Sequence, residues 1–289
     1  MNATEGMIDV IGGKVWYQKH VGEGTGTPVI ILHGGPGSSH YSMQDLKILA
    51  KDRPVIFYDQ LGCGKSERPN DKSLWHIDRF VEELGQVREA LNLDEVHILG
   101  HSWGTTLAAA YLLTKPAGVK SVIFSSPCLS APLWAEDQER NRQLLPEDVQ
   151  AVLKECEENG TTDSEAYKEA TAEFNKMFVC RLDPMPAFLK EGAKYRSPEV
   201  YNIMWGPSEF HVTGNLKSFD CTQQLKEIKI PSLYTCGRYD EATPESTQSF
   251  SELTPHSAFH VFEESAHMPY IEEPEQYVSV ISEFLRQND

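Results

Sequence analysis

Val96-His97-Ile98-Leu99-Gly100-His101-Ser102-Trp103-Gly104-Thr105-Thr106 is the stretch from which the fold can be read. A short apolar run ends at Gly100, a Gly-x-Ser-x-Gly pentapeptide follows, and Leu107 to Leu113 reads as an Ala-rich helix. This is a strand, a sharp turn and a helix, the context that a nucleophile elbow requires. In such a turn the serine sits in a strained backbone conformation. Gly100 and Gly104 are needed because side chains there collide with the neighbouring strand and helix. The helix N-terminus then lies beside Ser102, where backbone N–H groups favour developing negative charge. Taken alone, the pentapeptide could equally be a small-residue turn.

Working outward, Pro28 to Leu32 is a continuous apolar run, as expected of a strand buried on both faces. It leads into His33-Gly34-Gly35-Pro36-Gly37, a loop with accessible backbone amides that alone would be a plain turn. Paired with an elbow, a strand-terminal loop of this kind supplies the second oxyanion-hole N–H. Val55 to Tyr58 is another buried strand, followed by the loop Asp59 to Ser66. Only one residue separates Gly62 from Gly64-Lys65-Ser66, where a phosphate-binding P-loop needs four, so nucleotide binding is not expected. Ile77 to Leu91 places Phe80, Val81, Leu84, Val87 and Leu91 on one helix face, and Val119 to Phe124 is β-rich. Strands alternating with helices predict a mostly parallel sheet covered on both faces. Upstream, Met7 to Ile11 and Lys14 to His20 flank Gly12-Gly13 and predict an antiparallel hairpin at the sheet edge.

The character changes after Ser130. Between Ala131 and Phe219 the patterns are helical, as in Glu147 to Glu158 and Ser164 to Phe178, and prolines are frequent. Sheet patterning resumes at Ile230 to Cys236 and Ala258 to Phe262, with helices expected near Pro244 to Leu253 and Pro274 to Leu285. The expectation is therefore one α/β core domain made of residues 1–130 and 220–289, interrupted by a helical cap at 131–219.

A net charge of −17 over 289 residues argues against nucleic acid or anionic membrane as a partner and mildly favours cationic small substrates. The first residues lack a basic region followed by an apolar stretch, and no segment has the length of a membrane span, so a cytoplasmic location is expected. The six cysteines contain no C-x-x-C pair and read as reduced, mostly buried thiols. The ten histidines show no metal-ligand spacing, so neither metal nor cofactor is expected.

A serine hydroxyl is a weak nucleophile and needs a base with a group to orient it. On this fold type the chain order is Ser, Asp or Glu, His. Asp240 follows the Leu233 to Cys236 run and His267 follows Phe262, which puts both on loops at the carboxyl edge of the sheet with Ser102. Singly, Asp240 reads as a helix cap before Pro244 and His267 as a surface histidine. With the elbow they form a triad.

These motifs resemble the proline iminopeptidases of the α/β-hydrolase superfamily across essentially the whole chain. The resemblance rests on HGGPG at 33–37, DQ-x-G-x-G-x-S at 59–66, GHSWG at 100–104, G-x-Y-D-E-x-T-P at 237–244 and S-x-H at 265–267. It implies Ser102 as nucleophile, His267 as general base, Asp240 as its orienter, and the N–H groups of Gly35 and Trp103 as the oxyanion hole. It further implies that Glu209 and Glu241 bind the free α-amine of the substrate, a short peptide or aminoacyl amide with preference for N-terminal proline. Two adjacent carboxylates, Asp240 and Glu241, repel unless a cation sits nearby, which a protonated amine would supply. The same machinery could serve an amino-acid amidase, an arylamidase, or a carboxylesterase or lactonase. A non-catalytic binding module has no use for an activated nucleophile, and epoxide hydrolases and haloalkane dehalogenases need a carboxylate where Ser102 stands.

Overall fold

The computed structural model describes residues 2–289. In it an antiparallel hairpin, β1 (Asn2–Val10) and β2 (Gly13–Val21), is followed by β3 (Val29–Leu32) and β4 (Val55–Tyr58). Helix α1 (Ile77–Ala90), β5 (Val96–Ser102), α2 (Trp103–Leu113) and β6 (Val119–Pro127) complete the first half. Five helices come next: α3 (Ala131–Arg142), α4 (Glu147–Asn159), α5 (Glu165–Phe178), α6 (Ala187–Ala193) and α7 (Pro198–Met204). The chain then closes with β7 (Ser232–Gly237), α8 (Pro244–Leu253), β8 (Ser257–Phe262), α9 (Pro269–Glu272) and α10 (Pro274–Gln287).

All eight strands form one sheet in the order β1-β2-β4-β3-β5-β6-β7-β8. The β1–β2 and β2–β4 pairs are antiparallel, and every pair from β4 to β8 is parallel. The hairpin ladder starts at Asn2, earlier than the apolar pattern indicates, because the outer half of β1 is exposed and carries no hydrophobic alternation.

Strands buried on both faces explain the continuous apolar runs. Ile30, Leu32, Ile56 and Ile98 point to one side, against Phe80, Leu84 and Val87 of α1 and Leu107 and Ala108 of α2. Val29, Ile31, Val55 and Phe57 point to the other, against Tyr277, Ile281 and Leu285 of α10. Each side chain of this size removed from water contributes about 1.5–3 kcal/mol before entropy is counted. The helices between β6 and β7 have a smaller core of their own, with Leu153, Tyr167, Phe174, Phe178 and Phe210.

The longest element that escapes the sequence reading lies between β3 and β4. His40–Lys51 is a run of 3-10 turns whose buried residues include His40, Met43, Leu46 and Leu49. That spacing of three is the eclipsed period of a 3-10 helix, which a search at 3.6 residues per turn passes over. No helix among the described residues is long and apolar enough to cross a membrane.

Candidate active site

Sheet order brings the site together. The neighbouring strands β4, β3 and β5 end, respectively, in the Asp59–Ser66 loop, the His33–Gly37 loop and Ser102, so three sequence-distant segments share one edge. At the elbow Ser102 has φ 53° and ψ −124°, a conformation that costs on the order of 1–3 kcal/mol and persists only when its surroundings enforce it. The enforcement is visible in the two glycines. A Cβ at Gly100 would lie 2.4 Å from the Gly104 carbonyl oxygen, and one at Gly104 would lie 2.2 Å from that of Leu32. The strand and helix are thereby packed backbone to backbone, with Ser102 at the turn.

The Gly34 loop lies against the elbow, since a Cβ at Gly34 would be 3.3 Å from Ser102 Cβ. Gly35 has φ +120°, and a Cβ there would meet the Gly37 nitrogen at 2.6 Å, so this position requires glycine. Trp103 is the first residue of α2, and N–H groups of a first helical turn lack intrahelical acceptors.

On the loop after β7 Asp240 Oδ1 accepts a hydrogen bond from His267 Nδ1 at 2.6 Å and another from the Ala242 N–H at 2.8 Å. Its Oδ2 accepts from the Gly237 N–H at 3.2 Å. Asp240 is thus held by the backbone of its own loop and aimed at the imidazole. Burial opposes the imidazolium, but Asp240, its hydrogen bond and the charge of Glu209 outweigh that, and His267 is raised above the ordinary histidine value. The His267 carbonyl accepts from His101 Nε2 at 2.8 Å and from Ser126 Oγ at 3.2 Å, which ties the loop to the elbow strand and to β6. Glu272 accepts from the N–H groups on both sides of His267, Ala266 at 2.9 Å and Met268 at 3.3 Å.

The remaining nitrogen, His267 Nε2, lies 3.5 Å from Glu241 Oε1. Glu241 is fully buried, and neither of its carboxylate oxygens has a hydrogen-bond donor. Burial, then the neighbouring Glu209 and Asp240 carboxylates, push it well above the usual carboxylate range. Its backbone is clamped between two of the helices that lie between β6 and β7: Gln138 Nε2 of α3 donates to its carbonyl at 2.9 Å, and its N–H donates to the Phe178 carbonyl of α5 at 3.2 Å. Glu209 is raised too, by burial against the opposing pull of His267, a Tyr201 hydrogen bond and Arg196. Its carbonyl accepts from two indoles, Trp134 Nε1 at 2.8 Å and Trp205 Nε1 at 3.3 Å.

Gly35, Ser102, Trp103, Thr106, Cys128, Trp134, Trp205 and Glu209 line one cleft. The Trp134 ring also stands edge-on to His267, with centroids 6.0 Å apart. Four of the seven residues nominated from the sequence, Gly35, Ser102, Trp103 and Glu209, thus lie on this cleft, and the other three meet one another, His267 contacting both Asp240 and Glu241. The structure adds Trp134, Trp205 and Tyr201, which the sequence reading missed. Trp134 is the one aromatic residue in α3, a signal that could have singled it out. All six cysteines are free and buried, and no cluster of metal-ligating side chains occurs among the described residues.

This arrangement can be set beside known proteins. The alpha/beta hydrolase fold family matches residues 27–274. A proline iminopeptidase of Heyndrickxia coagulans is 70% identical over 283 residues, covering 98% of each chain. The chain belongs to the proline iminopeptidase family of α/β hydrolases. The crystal structure of a Mycobacterium smegmatis proline iminopeptidase superposes with a TM-score of 0.91 at 34% identity, over 99% of this chain and 98% of that one. That of VinJ gives 0.95 at 33% identity, over 99% of each chain. Membership in the proline iminopeptidase family agrees with the motifs at 33–37, 59–66 and 100–104. In this member the 59–66 loop is a structural brace: Asp59 accepts from the His40 N–H at 2.7 Å and the Lys65 N–H at 2.9 Å, and it holds His40 Nδ1 at 2.9 Å.

Proposed function

We propose that this chain is a serine aminopeptidase that releases an N-terminal residue, preferably proline, from short peptides or aminoacyl amides through an acyl-enzyme. In this reading Ser102 attacks the scissile carbonyl while His267, oriented by Asp240, takes its proton and then returns it to the leaving amine. Gly35 and Trp103 N–H groups receive the oxyanion. Residues 131–219 act as a cap that closes the amine end of the site with Glu209. The observation that carries the substrate assignment is Glu241, a buried carboxylate with no donor, next to a second carboxylate. Such a pair is costly unless a cation joins it, and an α-ammonium, or the secondary ammonium of an N-terminal proline, supplies both charge and donors.

The test is a panel of prolyl arylamides with free and acetylated amines, run beside a small neutral aryl ester. Glu209→Gln and Glu241→Gln should lower kcat/KM on the free-amine substrate by about tenfold to a thousandfold, the scale of a lost charge-assisted hydrogen bond with part of its desolvation cost. Ester hydrolysis should change little, and acetylation should reproduce the effect of the mutations. Equal loss on ester and amide would mean that the glutamates support the triad instead. Acetylated substrates cleaved as fast as free ones would make the enzyme an esterase or a general amidase.

A further inference from the structure

Three hydrogen bonds join Gln60, on the loop after β4, to the two segments that carry the oxyanion donors. The Gln60 N–H donates to His33 Nε2 at 3.1 Å, its side-chain Nε2 donates to the His33 carbonyl at 3.3 Å, and its Oε1 accepts from the Trp103 indole Nε1 at 2.8 Å. Gln60 is fully buried. Because a backbone N–H can only donate, His33 Nε2 is the acceptor, and in the neutral ring the proton must sit on Nδ1. Burial favours that neutral ring by holding His33 below the ordinary histidine value, against the pull of Asp59. Nδ1–H then donates to the Gly34 carbonyl at 2.8 Å.

That carbonyl belongs to the same planar peptide as the Gly35 N–H. Fixing one end of the plane fixes the direction of the other. Meanwhile the Trp103 indole, held by Gln60 Oε1, sets the first residue of α2, whose own N–H is the second donor. We propose that Gln60 is a positioning residue that aligns both donors of the oxyanion hole, Gly35 through the His33 ring and Trp103 through its indole. The assignment rests on the serine-hydrolase reading above. Gln60 touches no reacting atom. Its effect is realised when charge develops on the carbonyl oxygen, because donors that are misaimed by a fraction of an ångström lose most of their worth at that point.

The test compares wild type with Gln60→Met, which keeps the length and removes the side-chain hydrogen bonds, and Trp103→Phe, which removes only the indole donor. Measured are kcat and KM on a prolyl arylamide, the affinity for a prolyl boronic acid whose tetrahedral adduct places an oxygen in the oxyanion hole, and labelling of Ser102 by a phosphonate. Gln60→Met should lower kcat about 10–100-fold, below the loss for deleting a donor outright, with KM within about twofold. Boronate affinity should fall by a similar factor. Trp103→Phe should show the same pattern at about 3–10-fold, and it carries the test alone if the Met variant fails to fold. Unchanged kcat and boronate affinity in a folded variant overturn the proposal. So does a rise in KM that accounts for the whole boronate loss, the signature of a merely loosened site. Failure of wild type to be labelled at Ser102 would instead overturn the serine-hydrolase reading on which it rests.

Discussion

At the scale of single residues the site is a set of opposing charges held out of water. His267 faces Asp240 on one nitrogen and Glu241 on the other, with Glu209 also in range. In the proposed mechanism His267 must be neutral to accept the Ser102 proton, so activity should fall as pH drops through its pKa. Because that value is raised above 6.5, the acid limb of kcat/KM on a neutral aryl ester should lie above pH 6.5. The limb should move down in Glu209→Gln, which removes one charge favouring the imidazolium. On prolyl arylamides the limb should be steeper, because Glu241 and Glu209, both raised, must also lose protons to receive a cation. A pH–rate profile on the two substrates checks this; an ester limb below pH 6.5 would contradict the electrostatics described.

Among the elements, the junction of β5 and α2 is tightly constrained. Gly104 approaches the Leu32 carbonyl so closely that a methyl group would sit 2.2 Å from its oxygen, and neither backbone can yield without moving β3 or the helix. Gly104→Ala should cost about 1–3 kcal/mol or more in stability by this overpacking. Since any relief shifts the Ser102 turn, kcat should fall as well. Urea denaturation together with turnover measures both. Wild-type stability in this variant would show that the elbow glycine is not sterically required. Gly160, at the end of α4, makes the contrast: a Cβ there meets nothing within 4 Å, so only its left-handed φ of +66° favours glycine.

For the whole molecule, the most far-reaching tie is Asp289. Its carboxylate accepts from Arg53 Nη1 at 2.7 Å and Nη2 at 3.1 Å, and from the Thr27 N–H at 2.9 Å, and lies 3.3 Å from His97 Nε2. One side chain thereby joins the segments leading into β3 and β4 and the start of β5. Burial alone would raise Asp289, but Arg53 and the other donors overcome it and hold it at about 2. A depressed carboxylate contributes stability that is full above its unfolded value of 3.8 and lost as pH falls through about 2. Asp289→Asn should therefore cost about 1–2 kcal/mol at neutral pH, less than a fully buried pair because Asp289 is about one-third exposed. The gap between variant and wild type should close as pH falls from 3.8 toward 2. Equal denaturation midpoints at pH 7 would show that Arg53, only 1% exposed, is satisfied without it.

Local chemistry made much of this protein legible. Apolar runs gave the buried strands, Gly-x-Ser-x-Gly between a strand and a helix gave the elbow, and loop position after successive strands gave Asp240 and His267. These signals are short-range: each reports which face of an element is buried or which turn a residue permits. They do not report the neighbour across that face. Only the sheet order sets the Gln60 loop beside His33 and Trp103, residues 27 and 43 positions away. Only the packing of the segment between β6 and β7 brings the Trp134 indole to the Glu209 carbonyl, 75 residues on, and only the tertiary fold brings Asp289 to Arg53 across 236. The sequence by itself determined most of the elements and the motifs from which the site is proposed. The tertiary structure decided which polar groups meet there, because a hydrogen bond is made by distance and direction in space, which periodicity along the chain does not encode.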